Sequence, residues 1–150
     1  MQIGGRASAI LAQKRVSSVW TIDPNATVIA AIRLMDEKNV GALPVVDHGR
    51  LVGIVSERDY TRKVILKERS SQEILVSEIM TKQLLTVAPS DSVTECMRIM
   101  TEKRVRHLPV LEGTDLVGIL SIRDVVEWLI SAQTATIESL ERYVTGDYPA

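Results

Sequence analysis

The chain has 150 residues, with 18 basic and 19 acidic side chains and a net charge of −1 at pH 7. This balance argues against a protein that binds nucleic acid by neutralising phosphates, and 3% aromatic residues leave few side chains for stacking bases. The single cysteine, Cys96, excludes an intrachain disulfide and a multi-cysteine zinc site. Apolar runs are too short to cross a membrane and residues 1–14 show no secretion signal, so we expect a cytoplasmic protein.

The first elements in chain order are a short strand and a helix. The apolar run at residues 19–22 predicts a strand that ends before a proline, and Asn25 or Thr27 can cap the helix that follows. In that helix, apolar residues such as Val28 and Met35 recur on one face.

Two strands and a second helix come next. Residues 43–46 and 51–55 read as the two strands of a hairpin, because a turn sequence containing glycine separates them. A helix is expected from Ser56 to about residue 67, and the polar residues 68–72 read as a linker. Residues 72–80 predict a further short helix. The unit is therefore β-α-β-β-α.

The chain then repeats this unit. Residues 21–60 and 86–125 share 18 identities in 40 positions without a gap, so the unit is duplicated. Two copies are too few for a solenoid and predict two lobes that bury a face against each other, in an α/β (α+β) fold. We divide the chain into repeat 1 at 10–67, a connecting segment at 68–83, repeat 2 at 84–130, and a C-terminal helix and tail at 131–150.

The second repeat continues into a longer apolar stripe than a unit of this size needs. The stripe predicts a helix, continuous or broken, that runs to about residue 143. It either covers the core of its own module or forms a contact between two copies of the chain, and the sequence leaves both open. Its members are Val125, Val126, Leu129, Ile130, Ile137, Leu140 and Val144.

Each repeat has a strand that ends at a Ser-x-x-Asp sequence, Ser56 with Asp59 and Ser121 with Asp124. A serine N-cap with an acidic residue three positions later is a capping box, which explains both residues structurally. The start of a helix also attracts anions, so the serine could share its hydroxyl with a phosphate. The aspartate could accept hydrogen bonds from a vicinal diol such as ribose.

A basic segment precedes the hairpin of repeat 2 only. Arg106 and His107 stand where repeat 1 has Gly41 and Ala42. A charged run is usually a solvated surface, but this asymmetry fits one anion site in a duplicated frame. Cys96 lies on an apolar helix face and is expected to be buried. No Ser/His/Asp arrangement, P-loop or G-x-G-x-x-G loop is present, and we expect no enzyme activity.

These features together resemble a tandem cystathionine-β-synthase (CBS) domain pair, also named a Bateman module, of the stand-alone regulatory kind. The resemblance covers about residues 10–130. It rests on the ordered, duplicated set of motifs: Gly41-Ala-Leu-Pro-Val45 and Arg106-His-Leu-Pro-Val110, two Leu-Val-Gly-Ile strands, and two Ser-x-Arg-Asp helix starts.

The resemblance implies two packed units related by a pseudo-two-fold axis, with two clefts that bind AMP, ADP, ATP, NAD or S-adenosylmethionine. It implies ribose contacts for Asp59, phosphate contacts for Ser56, Arg106 and His107, and adenine contacts for Leu84 and Val105. Cleft one would contain Ile54, Ser56, Asp59, Leu84, Val105, Arg106 and His107. Cleft two, without the basic pair, would contain Val19, Val40, Gly41, Ala42, Ile119, Ser121 and Asp124. Arg58 and Arg123 could reach a phosphate or a partner's surface.

The expected function is therefore a sensor that binds an AMP-like nucleotide and transmits energy or redox state to an unidentified client protein. NAD is the main rival ligand, because a second nucleoside could extend past the phosphates. Family members form dimers, so a homodimer is expected. The alternative function is a ligand-free dimeric scaffold, in which Ser56 and Asp59 act only as helix caps. Nucleic-acid and membrane partners are not expected.

Overall fold

The computed structural model describes residues 4–14 and 19–145 and shows an α+β chain with two similar halves. The elements follow in the order α1 (Ala7–Gln13), α2 (Val28–Lys38), β1 (Ala42–Asp47), β2 (Arg50–Ser56), α3 (Glu57–Tyr60), α4 (Val76–Ile79), α5 (Val93–Lys103), β3 (His107–Glu112), β4 (Asp115–Ser121) and α6 (Ile122–Thr145). Helix α3 continues as a π-helical turn, Thr61–Ile65.

Each half is built on one antiparallel hairpin, as the sequence predicts. Strands β1 and β2 pair with Ala42 opposite Ser56, and β3 and β4 pair with His107 opposite Ser121. This register places the start of the first strand beside the end of the second. The residues that precede β1 and β3 therefore lie next to the starts of α3 and α6.

The first predicted strand of each repeat is shorter than expected. It is reduced to a single parallel bridge, Ile22 with Val45 in repeat 1 and Val87 with Val110 in repeat 2. Ile22 N donates to Pro44 O and Val46 N donates to Ile22 O, each at 3.0 Å. The chain then turns at residues 23–26 and enters α2, for which Thr27 is the N-cap.

Two separate hydrophobic cores hold the halves, and each is completed by a helix from outside its own repeat. Helix α1, which precedes the duplicated stretch at residues 21–60, contributes Ala7 and Ile10 to the core of repeat 2. Helix α4, which precedes repeat 2, contributes Val76 and Ile79 to the core of repeat 1. Cys96 is fully buried in the core of repeat 2.

The two helices occupy equivalent positions. Ala7 N donates to Asp91 O and Val76 N donates to Ala26 O, each at 2.8 Å. Both also lie close to a strand glycine: a Cβ on Gly118 would lie 2.7 Å from the side chain of Leu11. A Cβ on Gly53 would lie 2.7 Å from Met80 Sδ. A side chain on either glycine would therefore force the crossing segment to shift.

The C-terminal stripe has two environments along one continuous helix, α6, of 24 residues. Val125, Trp128 and Leu129 pack on the core of repeat 2. The next apolar residues are exposed, from Ile130 at 58% to Val144 at 83%. Within the described ranges, no helix is long and apolar enough to cross a membrane.

Candidate functional site

Both Ser-x-x-Asp sequences form the capping boxes that the spacing predicts. Ser56 N donates to Asp59 Oδ2 at 2.9 Å, and Asp59 N donates to Ser56 Oγ at 3.2 Å. In repeat 2, Ser121 N donates to Asp124 Oδ2 at 2.8 Å and Asp124 N donates to Ser121 Oγ at 3.1 Å. The two aspartates are thus held in the same way by their own serines.

Cleft two is a cavity of about 950 Å³ between the repeats. This volume lies within the range of small-molecule binding sites. Its lining is rich in charged and polar groups from both repeats and from α1 and α6. It comprises Ile10, Gln13, Lys14, Trp20, Lys38, Asn39, Val40, Gly41, Ala42, Arg106, His107, Ile119, Ser121, Ile122, Arg123, Asp124, Glu127, Ile130 and Ser131.

The structure brings together nearly all the residues that the sequence analysis grouped in cleft two. Trp20 lines the cavity in place of its neighbour Val19. The other six grouped residues all line it: Val40, Gly41, Ala42, Ile119, Ser121 and Asp124.

Arg106 and His107, which the sequence analysis grouped with Ser56 and Asp59, also line cleft two. The strand register explains their position, because His107 lies opposite Ser121 and Ile122 N donates to Arg106 O at 2.8 Å. The basic segment therefore adjoins the helix start of its own repeat.

Gly41 marks the point where the two repeats meet. A Cβ built on Gly41 would lie 3.5 Å from the imidazole of His107. The two segments that precede β1 and β3 are thus neighbours in space, although they are 65 residues apart in sequence. Glu57 N donates to Gly41 O at 3.1 Å, so this segment also adjoins the start of α3.

An ion pair lies in the lining of cleft two. Lys14 Nζ lies 3.0 Å from Asp124 Oδ2 and donates to Ile119 O at 2.8 Å. Burial lowers the pKa of His107, and the charges of Lys14 and Arg106 lower it further, while Asp124 acts in the opposite direction. His107 is therefore neutral at pH 7 and can both donate and accept a hydrogen bond.

Cleft one is organised differently around Asp59. Lys63 Nζ lies 3.1 Å from Asp59 Oδ1, and Thr81 Oγ1 donates to the same oxygen at 3.4 Å. The backbone of Thr81 also pairs with Ile54, with Thr81 N donating to Ile54 O at 2.8 Å and Ile54 N donating to Thr81 O at 3.1 Å. The segment that follows α4 is thus bonded to the edge of β2.

The remaining predicted residues of cleft one lie in varied surroundings. Val105 packs against the core of repeat 2, and Leu84 is half-buried. Arg58 is exposed on α3, whereas its counterpart Arg123 lines cleft two and pairs with Glu127 at 3.2 Å.

Sequence reasoning missed several charged and aromatic residues at the clefts. Lys14 lies before the duplicated unit and Thr81 lies in the connecting segment, so the comparison of the repeats does not reach them. Lys63 had a signal, since it follows Asp59 by four residues on a predicted helix. Lys38 lies over the Trp20 ring, 4.1 Å from its centroid, and both residues line cleft two.

Comparison with known proteins places these clefts in a family. The model of the CBS domain matches residues 14–65 and 76–131. The chain belongs to the CBS domain family. It carries two CBS domains in tandem, and the finer division at residues 10–67 and 84–130 stays a prediction.

Relatives of known sequence and structure agree with this CBS pair. A CBS-domain protein from Burkholderia ambifaria is 49% identical, with a TM-score of 0.83 over 86% of this chain and 96% of that chain. The mitochondrial CBS domain-containing protein CBSX3 of Arabidopsis thaliana is 41% identical over 81% of this chain. That match covers 62% of CBSX3, so this chain spans less than two thirds of that relative.

A more distant structure has the same fold. The CBS domain pair of the protein MJ0100, solved with 5′-methylthioadenosine and S-adenosyl-L-methionine, is 24% identical, with a TM-score of 0.75 over 86% of this chain and 98% of that chain.

Proposed function

We propose that this CBS pair is a cytoplasmic regulatory module that binds an adenosine nucleotide between its repeats and passes the ligand state to a client protein. The observation that carries the proposal is the cavity of about 950 Å³ at cleft two, where a capped helix start meets basic side chains from three segments. A protein of the same fold, MJ0100, was solved with adenosine compounds, which supports the ligand class.

The charges of the cavity favour a ligand that carries phosphate. Its lining has four lysine and arginine side chains and two carboxylates, so the net charge is positive with His107 neutral. Asp124 is placed to accept hydrogen bonds from ribose hydroxyls, and Arg106 and Lys38 are placed to meet phosphate oxygens. AMP, ADP, ATP and NAD all fit this chemistry, whereas the neutral nucleoside lacks the phosphate contacts.

Helix α6 both lines the cavity and carries exposed apolar side chains that a partner could cover. Ile130 lines the cavity and also begins the exposed stripe of α6. Ile130, Ile137 and Val144 follow one another at intervals of seven residues, which is the spacing of a helix-pairing seam. We propose that a second copy of the chain covers this stripe, so that the cavity and the dimer contact share one helix.

Thermal stability with added compounds tests the nucleotide. We expect AMP, ADP, ATP or NAD near millimolar concentration to raise the melting temperature selectively, since a ligand at 100 times its Kd stabilises by about 2.7 kcal/mol. Adenosine tests whether binding needs the phosphate, and GMP tests whether it needs the adenine base. S-adenosylmethionine tests whether an adenosine compound without a phosphate's negative charge also binds. No shift with any of them would favour the ligand-free scaffold, in which the capping boxes serve only the helices.

Light scattering after size-exclusion chromatography tests the dimer. Ile137→Asp places a charge in the stripe and is expected to convert a dimer into a monomer, because an unpaired charge is costly in an apolar contact. Ser139→Asp, on the same helix but off the stripe, is the control and should leave the mass unchanged. A monomeric parent protein would contradict the dimer without affecting the nucleotide proposal.

A further inference from the structure

The two clefts differ in how many acceptor positions their aspartates leave open. An ionised carboxylate accepts about four hydrogen bonds. Asp59 already receives four donors: Ser56 N at 2.9 Å and Ser56 Oγ at 3.0 Å on Oδ2, and Thr81 Oγ1 at 3.4 Å and Lys63 Nζ at 3.1 Å on Oδ1. Both aspartate side chains are largely buried, Asp59 at 12% and Asp124 at 14% exposed, so the difference between them lies in their donors. Donors from the chain itself therefore occupy the acceptor positions of this carboxylate.

In the described part of the chain, the donors to Asp124 all meet one of its two oxygens. Among residues 4–14 and 19–145, the donors that reach it are Ser121 N at 2.8 Å and Lys14 Nζ at 3.0 Å, and both meet Oδ2. No donor from these described residues meets Oδ1, and Asp124 lines the cavity. A diol can bind this carboxylate without breaking the capping box.

The difference arises in the segments that follow the two crossing helices. Helix α4 ends at Ile79, and the extended Met80 leads Thr81 along the edge of β2, where it bonds to Ile54. Helix α1 is longer and continues to Gln13, so the residue equivalent to Thr81, Ala12, is helical. Ala12 therefore makes no strand-like bridge in cleft two, where the Lys14 side chain instead donates to Ile119 O.

We propose that each chain binds one adenosine nucleotide, in cleft two, and that cleft one is closed by the chain's own Thr81 and Lys63. This inference rests on the proposed function and specifies which of its two clefts takes the ligand. It removes Asp59 from the ligand-binding set and leaves it the structural role of a helix cap and anchor for the connecting segment.

Isothermal titration with AMP on the full chain tests the inference. We expect one AMP per chain, a loss of affinity of at least about tenfold in Asp124→Asn, and unchanged affinity in Asp59→Asn. The two variants are matched, because each changes the acidic residue of an equivalent capping box. Two AMP per chain, or a larger loss in Asp59→Asn, would overturn the assignment while leaving the nucleotide function intact.

A second pair of variants keeps the test valid if the capping-box changes impair folding. Lys38→Gln removes a basic group that lines cleft two, and Lys103→Gln changes its counterpart 65 residues later in repeat 2. We expect Lys38→Gln to weaken AMP binding and Lys103→Gln to leave it unchanged, and the reverse order would overturn the assignment. A parent protein that binds none of AMP, ADP, ATP and NAD would overturn both the inference and the proposed function.

Discussion

Asp59 and Asp124 occupy the same position of two repeats with the same capping box, yet their carboxylates meet different neighbours. Asp59 contacts Thr81 and Lys63, whereas Asp124 lines a cavity and contacts Lys14. The residues that make this difference lie largely outside the repeated motif. The comparison teaches that duplication sets the position of the two aspartates, while segments outside the repeated motif decide which side chains contact them.

The length of those segments differs in sequence as well. From Leu11 to Thr21 the chain advances ten positions, whereas from Met80 to Thr86 it advances six. Leu11 and Met80 pack on equivalent glycines, and Thr21 and Thr86 begin equivalent stretches of the repeats. The segment on the side of cleft two is thus four residues longer, and residues 15–18 of it lie outside the described part of the chain.

The largest expected effect comes from the crossing helices. Ile10→Ala and Ile79→Ala each remove a side chain buried in the core of the opposite repeat, and each is expected to lower the free energy of unfolding by about 2–5 kcal/mol. Urea denaturation measures both. Similar losses would show that the two helices are equivalent in energy, and a negligible loss for Ile10→Ala would contradict the assignment of α1 to a core.

Substitution of the two strand glycines is expected to lower stability by less than the loss of the buried isoleucines, and by different amounts in the two repeats. Gly53→Ala and Gly118→Ala each introduce a methyl group 2.7 Å from a neighbour, which costs about 1–3 kcal/mol. We expect Gly53→Ala to cost more, because its Cβ also lies 3.0 Å from the backbone oxygen of Thr81, whereas the three atoms nearest to a Cβ on Gly118 belong to the flexible Leu11 side chain. Thermal denaturation measures the order, and equal losses would contradict the tighter backbone contact that Gly53 makes with the Thr81 segment.

His107 gives a pH effect that belongs to cleft two alone, since repeat 1 has Ala42 at that position. Its pKa is lowered by burial in the folded protein, so the unfolded chain binds more protons below about pH 6.5. Neutral His107 therefore contributes to the free energy of unfolding above that pH, and this contribution is lost as the pH falls. Denaturation of the parent and His107→Gln from pH 8 to pH 5 checks this, and an unchanged pH profile in the variant would contradict it.

The smallest effect is expected at the arginines of the two helix starts. Arg123 pairs with Glu127 at 3.2 Å, but both side chains are well exposed, and Arg58 is exposed as well. Surface pairs contribute little, so Arg123→Ala and Arg58→Ala should each change stability by no more than about 0.5 kcal/mol. A melting-temperature scan measures this, and a larger loss in either variant would assign that arginine a structural role.

The fold was largely predictable because local signals and the repeat agreed. The hairpins follow from Leu-Pro-Val and Leu-Val-Gly-Ile runs, and Ser56 and Ser121 cap helices as their spacing predicts. The first strands were less predictable, since an apolar run such as 19–22 reports burial and does not fix how far pairing extends. In the structure, only Ile22 pairs there.

The candidate site was predictable only in part, because side chains reach it through tertiary packing. Six residues that the resemblance to CBS pairs groups in cleft two line one cavity. The position of Arg106 required the strand register, which places it beside Ile122. Lys14 required the path of α1 across the other repeat, and no periodicity in residues 1–14 indicates that path.

The packing of α1 and α4 on the opposite repeats also determines the order in which the two cores can form during synthesis. A seven-residue helix such as α1 is too short to be stable alone in water. Its partners, among them Val93, Leu108 and Leu120, are made about a hundred residues later. Repeat 1, by contrast, receives α4 soon after its own hairpin is made. Newly made chains should therefore gain protease resistance in repeat 1 first, and α1 becomes protected only when synthesis has passed repeat 2.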